Sequence, residues 1–124
     1  PTQTPNVAVG AGQVMVFPFH FSRQFTATVA NVARFQMPQP CQLIGAGASA
    51  RASGGTSPTL TIDVLAGGTS VLASPIPVTA GAFTHGAIKT DTIADEAVIT
   101  VSFAIGGTSP TWDDPVLLLT CARR

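Results

Sequence analysis

The chain has 124 residues, enough for one domain, with 45% hydrophobic but only 10% charged residues and a formal net charge of zero. A neutral, charge-poor surface favours assembly and disfavours strong nucleic-acid binding, which needs clustered Lys and Arg. No apolar run approaches the roughly 20 residues that cross a bilayer, so no membrane association is predicted.

The first 13 residues are predicted to form an extended arm, because they include two prolines and two glycines and show no regular apolar spacing. Arms of this kind become ordered when a partner holds them. The start at Pro1 lacks the basic and apolar regions of a signal peptide, so we expect synthesis in a cytosol.

Residues 14–21 are predicted to form a strand with four large apolar side chains on one face, namely Met15, Phe17, Phe19 and Phe21. Pro18 has no N–H to donate, which places the strand at a sheet edge or in an intermolecular sheet. The four side chains lie either in the core, which is the commoner situation, or on an interface.

Residues 25–35 are rich in Thr, Val and Phe, which favours a strand over the alternative of a helix across residues 27–35. The proline-rich residues 36–40 end this element. We therefore predict that residues 1–40 form an assembly arm with edge strands and that residues 41–124 form a β-sandwich domain.

The next predicted strand is built from small residues on both faces, which suits a tightly packed sheet or a subunit contact. One face would carry Ile44, Ala46, Ala48, Ala50 and Ala52, and the other Gly45, Gly47, Ser49 and Arg51.

The clearest hairpin follows, where Leu60, Ile62 and Val64 alternate with polar residues and Gly67-Gly68 supplies a tight reversal. The hexapeptide Gly-Gly-Thr-Ser-Pro-Thr occurs at residues 54–59 and again at residues 106–111. We interpret both copies as turns, in which the glycines adopt positive φ angles and the Thr and Ser hydroxyls form hydrogen bonds with unpaired backbone groups. A phosphate-binding loop is rejected, because no helix is predicted after either copy and neither copy is followed by the Lys that such a loop needs.

Residues 97–105 alternate most regularly, and the apolar residues 116–121 close the domain as a strand. Residues 83–88 are predicted to form a short strand, and residues 89–96 a loop or a single turn. Seven or eight short strands without a convincing long helix indicate an all-β antiparallel sandwich or a small barrel.

Candidate chemistry is sparse. Calcium ligands could come from Asp91, Asp95 and Glu96 or from Asp113 and Asp114, but no calcium-loop spacing occurs. His20 and His85 lie in apolar strand-like segments, where hydrogen-bonded histidines are common, and no nucleophile motif is present. We expect no enzyme activity, no metal and no cofactor.

The two cysteines, Cys41 and Cys121, have no metal-ligand spacing, but they open the first and close the last strand of the predicted domain. Antiparallel pairing of those strands would bring them together. They form either a disulfide or a pair of buried thiols, and a reducing compartment favours the thiols.

From about residue 42 to residue 122 the pattern resembles the small jelly-roll proteins of tailed-phage virions, most of all the capsid decoration (cement) proteins. Residues 62–76, with Val78 and Ala80-Gly81, match their strand, glycine turn, strand and apolar-Pro-apolar hairpin. Residues 93–109 and 116–119 match their long alternating strand and closing strand, although Ile93-Ala94 stands where these proteins are usually more polar. Similar domains also occur in tail, baseplate and fibre proteins.

The resemblance implies a jelly-roll-like homotrimer that is made in the host cytoplasm and decorates the capsid surface, where it bridges neighbouring subunits of the major capsid protein. We expect capsid contacts from Met15, Phe17, Phe19, Phe21 and Arg23, and subunit contacts from Ala46, Ala48 and Ala50. The alternative is a tail-associated carbohydrate- or receptor-binding module, with Trp112 and its acidic neighbours as the sugar platform.

Overall fold

A computed structural model describes residues 14–37, 40–94 and 96–123, and these residues form strands and turns without a helix. In chain order the strands are β1 (Val14–His20), β2 (Gln24–Phe25), β3 (Val29–Gln36), β4 (Cys41–Ser49), β5 (Ala52–Ala66), β6 (Thr69–Ser70), β7 (Ile76–Pro77), β8 (Thr84–His85), β9 (Thr92–Ile93), β10 (Val98–Asp113) and β11 (Val116–Arg123). Within these ranges no helix is long and apolar enough to span a membrane. The predicted arm, residues 1–13, lies outside the described residues.

The strands form two sheets, and every pairing between named strands is antiparallel. Sheet A has the order β1-β11-β4-β8, with β9 also paired to β4. Sheet B has the order β2-β10-β5-β6, with β3 also paired to β10 and β7 to β5. Strands that are far apart in the chain therefore lie side by side, as in a jelly roll.

Alternate residues of the central strands fill one hydrophobic cluster between the sheets. Sheet A contributes Leu43, Leu117 and Leu119, and sheet B contributes Ile62, Val101 and Phe103. Burying a side chain of this size stabilises a fold by about 1.5–3 kcal/mol. The predicted all-β, jelly-roll-like antiparallel sandwich is confirmed.

The sandwich begins earlier in the chain than the predicted boundary at residues 40 and 41. Strand β1 pairs along its whole length with β11, and β3 pairs with β10, so residues 14–36 contribute to both sheets. Strands β3 and β4, which precede and follow the proline-rich residues, lie in different sheets of the same sandwich. The prediction of β1 as an edge strand is confirmed. Residues 25–35 form strand instead of helix, as predicted, but residues 26–28 divide the predicted strand into β2 and β3.

The predicted hairpin is confirmed at β5 and β6, which are joined by Gly67 and Gly68 with φ values of 59° and 86°. Two successive positive φ angles match the tight turn that suits the twist of a hairpin. Ser70 Oγ donates to Asp63 Oδ1 at 2.6 Å across this hairpin. The turn and this hydrogen bond together fix its register.

The other two glycine pairs do not reverse the chain, so the interpretation of the hexapeptide as a turn is wrong for both full copies. Residues 54–59 lie inside β5, residues 106–111 lie inside β10, and the two copies pair antiparallel with each other. Thr56 faces Thr108 at the centre, while Gly54 faces Thr111 and Gly106 faces Thr59. We call this two-stranded element the hexapeptide ribbon.

Each copy bulges where the other copy presents its second glycine. The register shifts once on either side of the Thr56–Thr108 pair, so one extra residue enters each strand. The φ angles repeat across the ribbon: Gly55 and Gly107 have 95° and 109°, and Ser57 and Ser109 have 48° and 49°. The repeated sequence therefore encodes two equivalent halves of one interlocked bulge.

A further bulge in β4 changes the predicted face pattern. Cys121 pairs with Leu43 and Thr120 pairs with Gly45, which leaves Ile44 as an extra residue. Leu43 is buried and Ile44 is 49% exposed, because the inserted residue shifts the alternation by one position. The prediction that Ile44 shares a face with Ala46 is therefore wrong.

Candidate assembly surfaces

The aromatic stripe of β1 faces the core. Met15, Phe17, Phe19 and Phe21 are partly buried and pack against the central cluster. The ring centroids of Phe17 and Phe19 lie 5.6 Å and 5.3 Å from that of Phe35, and Phe21 meets Phe103 edge-on at 4.9 Å. These four side chains therefore stabilise the sandwich, and their role as capsid contacts stays a prediction.

Arg23, the fifth predicted capsid contact, remains on the surface. Its guanidinium carbon lies 4.3 Å from the centroid of the Phe25 ring, within cation–π range. The side chain is exposed at the end of the sandwich where β2 pairs with the last residues of β10. It is available to a partner, although its aromatic contact also holds β2 in place.

The surface stripe of β1 consists of the alternate residues. Val14 and Val16 are 58% and 55% exposed, and Pro18 and His20 complete this outward row. We call Val14 and Val16 the β1 ridge, because they stand at the free edge of sheet A. Period-2 alternation predicted two faces for this strand. The face with Met15 and the phenylalanines is the inner one, and the face with the valines is the outer one.

The predicted subunit contacts of β4 are also buried. Ala46, Ala48 and Ala50 are 3%, 0% and 3% exposed, so they have no surface to offer a neighbouring subunit. Their small side chains allow Leu117 and Leu119 of the adjacent β11 to fill the core instead. The outward positions of β4 after the bulge are Gly45 and Gly47.

A groove lies over these two glycines on the outer face of sheet A. Its volume is about 470 Å³, and it is lined by Ile44, Gly45, Ala46, Gly47, Phe83, His85, Leu118 and Thr120. Ile44 and Phe83 are about half exposed, at 49% and 51%. We call it the Gly45 groove. Its floor is low because neither glycine carries a side chain.

The outer faces of the two sheets differ in charge. Strands β1, β4, β8 and β9 of sheet A include no Asp, Glu, Lys or Arg, and β11 includes only Arg123, its last residue. Sheet B instead presents Arg34, Thr61, Asp63, Thr100 and Ser102 outward, opposite the buried Ile62 and Val101. The outer face of sheet A is therefore poor in charge, whereas that of sheet B is polar.

The two cysteines are buried and lie close together as a pair of thiols, without a disulfide between them. Cys41 pairs with Arg123 and Cys121 with Leu43, so the thiols are diagonal neighbours on the inner face of sheet A. Cys41 Sγ also donates to Met37 Sδ at 3.6 Å. Burial, reinforced by the adjacent Cys41, raises the pKa of Cys121 to about 12. The Cys121 thiol therefore remains protonated at neutral pH, and both cysteines serve as small apolar core groups.

The predicted sugar platform is not assembled. Trp112 is 3% exposed, and its Nε1–H has no hydrogen-bond acceptor among the described residues. Arg51 Nε donates to Asp114 Oδ2 at 2.7 Å, and Gln24 donates to Asp113 Oδ1 at 2.9 Å. The hydrogen bond and the charge of Asp114 raise the pKa of Arg51. A buried indole and two occupied carboxylates leave no surface on which a sugar could stack.

The remaining titratable groups are dispersed. In the described ranges no group of three or more His, Cys, Asp and Glu side chains could hold a metal ion. His20 lies on the outward row of β1. His85 lies over Gly47 on β8, at the opposite edge of the same sheet. The two histidines are separated by β11 and β4 and do not form a shared site.

Sequence reasoning missed the residues that shape the apolar face, namely Val14, Val16, Ile44 and Phe83. The β1 pair could have been found by assigning the aromatic residues of β1 to the core, since the alternate set then faces outward. The exposure of Ile44 results from the bulge in β4, and Phe83 precedes a strand of only two residues. Neither position carries a local signal of exposure.

No known family model and no curated protein sequence matches the chain. Among solved structures, the fold is similar to a chain of the cyanophage Pam1 capsid asymmetric unit, with a TM-score of 0.61 and 14% identity over 99% of this chain and 98% of that one. It is also similar to the VP2 subviral particle of infectious bursal disease virus, with a TM-score of 0.52 and 13% identity over 99% of this chain but 37% of that one. At these identities the likeness establishes a shared fold.

Proposed function

We propose that this protein is a structural component of a phage virion that decorates the capsid surface as a homotrimer and bridges neighbouring subunits of the major capsid protein. The observation that carries the proposal is the shared fold with a chain of a phage capsid asymmetric unit, at nearly full length on both sides. The similarity to infectious bursal disease virus VP2 covers only about a third of that larger chain. The sandwich therefore corresponds to nearly a whole chain of the phage capsid and to about a third of the VP2 chain.

The surfaces of the molecule support an assembly role. The chain has zero formal net charge, so copies do not repel one another at long range. The outer face of sheet A exposes Val14, Val16, Ile44 and Phe83, and exposed apolar patches mark sites of protein–protein contact. Many weak contacts repeated over a symmetric shell add up through avidity, so no single contact has to be strong.

Capsid contact is assigned to Arg23, which is exposed, and to the predicted arm of residues 1–13. Subunit contact is assigned to the outer face of sheet A, because Ala46, Ala48 and Ala50 are buried beneath it. In this proposal the chain is made in the host cytoplasm and reaches the capsid surface during virion assembly.

Co-sedimentation with preformed shells tests the proposal. Shells assembled from the coat protein of the same genome are mixed with purified chain and separated on a density gradient. We expect saturable binding with a copy number set by the shell symmetry. A chain that stays at the top of the gradient at all concentrations would contradict the decoration role.

A tail-associated carbohydrate-binding module is the competing function, and no specific observation favours it because Trp112 is buried. A glycan array probed with the wild-type chain is the appropriate test, since Trp112→Ala would disturb the core. We expect no glycan to bind. Selective binding of one glycan class, together with no binding to shells, would replace the proposal with the competing one.

A further inference from the structure

We infer that Met15, Met37, Cys41 and Cys121 together form a binding site for one soft metal ion, Cu(I). These four residues carry all the sulfur atoms of the chain, which has two cysteines and two methionines. We call them the sulfur cluster. The inference is independent of the proposed capsid role. It departs from the expectation of no metal, because that expectation considers Cys and His spacing and carboxylates but not thioethers.

The fold brings the four sulfur residues together from separate segments. Met15 of β1 pairs directly with Cys121 of β11, and side chains paired in this way have Cβ atoms about 4.5–5.5 Å apart. Cys121 pairs with Leu43, two residues after Cys41 in β4, and the thiols of the two cysteines are in hydrogen-bonding contact. Cys41 Sγ in turn donates to Met37 Sδ. The four side chains therefore form one continuous group in the core.

Packing alone does not require the sulfur residues to meet. Methionine and cysteine fill gaps anywhere in an apolar core, and the rest of this core consists mostly of aliphatic side chains. The four sulfur residues nevertheless come from β1, the residue after β3, the first residue of β4 and the end of β11. A shared ligand explains why all of them lie at one place. Without that ligand, the two cysteines serve as apolar core groups.

The spacing of the sulfurs suits coordination to one ion. A metal–thiolate bond is about 2.3 Å long, so two ligands at neighbouring corners of a tetrahedron lie about 3.8 Å apart. Met37 Sδ and Cys41 Sγ are 3.6 Å apart, and the Cys121 thiol touches that of Cys41. Exchanging these contacts for metal–sulfur bonds therefore needs little movement. Met15 has the side-chain freedom to complete the ligand set, because methionine is unbranched and has three rotatable bonds.

The ligand chemistry selects a soft, univalent ion. Thiolate and thioether sulfurs favour Cu(I), whereas hard ions such as Mg²⁺ and Ca²⁺ need oxygen ligands. Binding converts one thiol into a thiolate, and its proton goes to the solvent. One thiolate, one thiol and two thioethers around Cu(I) carry no net charge, which a buried site favours because an unpaired charge there is costly. Zn(II) would need both thiols deprotonated to reach the same neutrality.

The sulfur cluster is fixed on one side and accessible on the other. The backbone of Met37 donates to Ala97 at 2.8 Å and accepts from Glu96 at 3.0 Å, and its side chain is buried. Both cysteines are fully buried. Met15 is only partly buried and lies in the edge strand β1. The ion therefore enters beside β1, and Met15 closes over it.

Competition for Cu(I) tests the site. The reduced full chain is titrated with Cu(I) in the absence of oxygen against a chromogenic Cu(I) chelator, and we expect one Cu(I) per chain. A double variant with Met15→Leu and Met37→Leu keeps both thiols and the core volume, and it should bind at least about ten-fold more weakly, equivalent to about 1.4 kcal/mol. The matched control is Ile76→Leu, a buried change of similar volume outside the cluster, which should leave the affinity unchanged. A wild-type chain that binds no Cu(I), or a double variant that binds it equally tightly, would overturn the four-sulfur site.

Thermal unfolding with and without Cu(I) supplies an independent readout. One equivalent of Cu(I) should raise the unfolding midpoint of the wild-type chain, because the ion binds the folded state in which the four sulfurs are assembled. A lowered midpoint would show that Cu(I) binds the thiols of the unfolded chain and would overturn the inference. Met15→Leu alone, at a partly buried position, keeps the test available if the double variant does not fold, and it should also reduce the rise in midpoint. A rise that is unchanged in this variant would exclude Met15 as a ligand and overturn the four-sulfur site.

Discussion

The hexapeptide ribbon and the middle of β4 both contain paired or near-paired glycines inside strands, yet the glycines have different causes. In the ribbon, a Cβ at Gly55 would overlap the carbonyl oxygen of Ser109, and a Cβ at Gly107 would lie 2.6 Å from that of Ser57. In β4, Gly45 has room for a side chain and an ordinary φ. The ribbon glycines are required by intramolecular packing, whereas Gly45 is left open on a surface.

This difference separates residues that build the domain from residues that suit it for assembly. A glycine whose replacement would clash needs no external partner to explain it. A glycine that costs stability without any local requirement indicates a constraint from outside the chain. The comparison predicts opposite effects of the same substitution at the two places.

The largest effect is expected at the ribbon. Gly107→Ala should lower the free energy of unfolding by about 2–4 kcal/mol, because a φ of 109° strains an L-residue and the new methyl group meets backbone atoms. Gly55→Ala should have a similar effect, since the two copies are equivalent halves of the bulge. Urea unfolding followed by fluorescence of Trp112 measures both.

Gly68→Ala is the matched control for the ribbon variants. Its φ is also positive, at 86°, but nothing lies within 4 Å of the added methyl group. It should cost about 1–2 kcal/mol from backbone strain alone. If Gly107→Ala costs no more than Gly68→Ala, then the interlocked bulge does not constrain the ribbon.

An intermediate effect is expected from the thiols beneath the outer face of sheet A. The pKa of Cys121 is raised from 9.0 to about 12 by burial and by Cys41. Between these values the unfolded chain loses a proton that the folded chain keeps, so stability should fall as pH rises above about 9, by at most about 1.4 kcal/mol per pH unit. Urea midpoints from pH 8 to pH 11 measure the slope.

The variant Cys121→Ala should lose this alkaline slope while keeping the outer face intact. It thereby separates the stability of the sheet from the assembly properties of its surface. A slope that is unchanged in Cys121→Ala would mean that another group controls the alkaline transition.

The smallest effect on stability is expected at β4. Gly45→Ala should stabilise the isolated chain by about 0.5–1 kcal/mol, because it lowers the conformational entropy of the unfolded state and meets no clash. Under conditions where the chain is assembled, the same variant should weaken association. Thermal unfolding at low and high protein concentration distinguishes the two. A loss of stability in the dilute chain would show that Gly45, like the ribbon glycines, is required by the packing of the chain itself.

The sequence predicted the sandwich well where alternation is uninterrupted. Leu60, Ile62 and Val64 face the core, and the hairpin at Gly67 forms as expected. Pro18 correctly indicated an edge strand, because its missing N–H excludes a central position. These features depend on local backbone chemistry, which a single sequence contains.

The misplaced features depend on contacts between distant strands. The inserted Ile44 shifts the face of every later residue in β4, and nothing in the neighbouring letters marks it as a bulge. The two hexapeptides were interpreted as turns because their role is visible only once β5 and β10 are known to pair. The aromatic stripe of β1 could have served either the core or an interface, and the ring of Phe35 on β3 places it in the core.

Cryo-electron microscopy of shells with and without the purified chain tests the proposed role most directly. We predict added density on the outside of the shell at threefold or quasi-threefold points, with three lobes that each fit one sandwich and with the outer faces of sheet A turned toward the shared axis. Shells that show no added density, or density confined to the tail vertex, would contradict a capsid decoration protein.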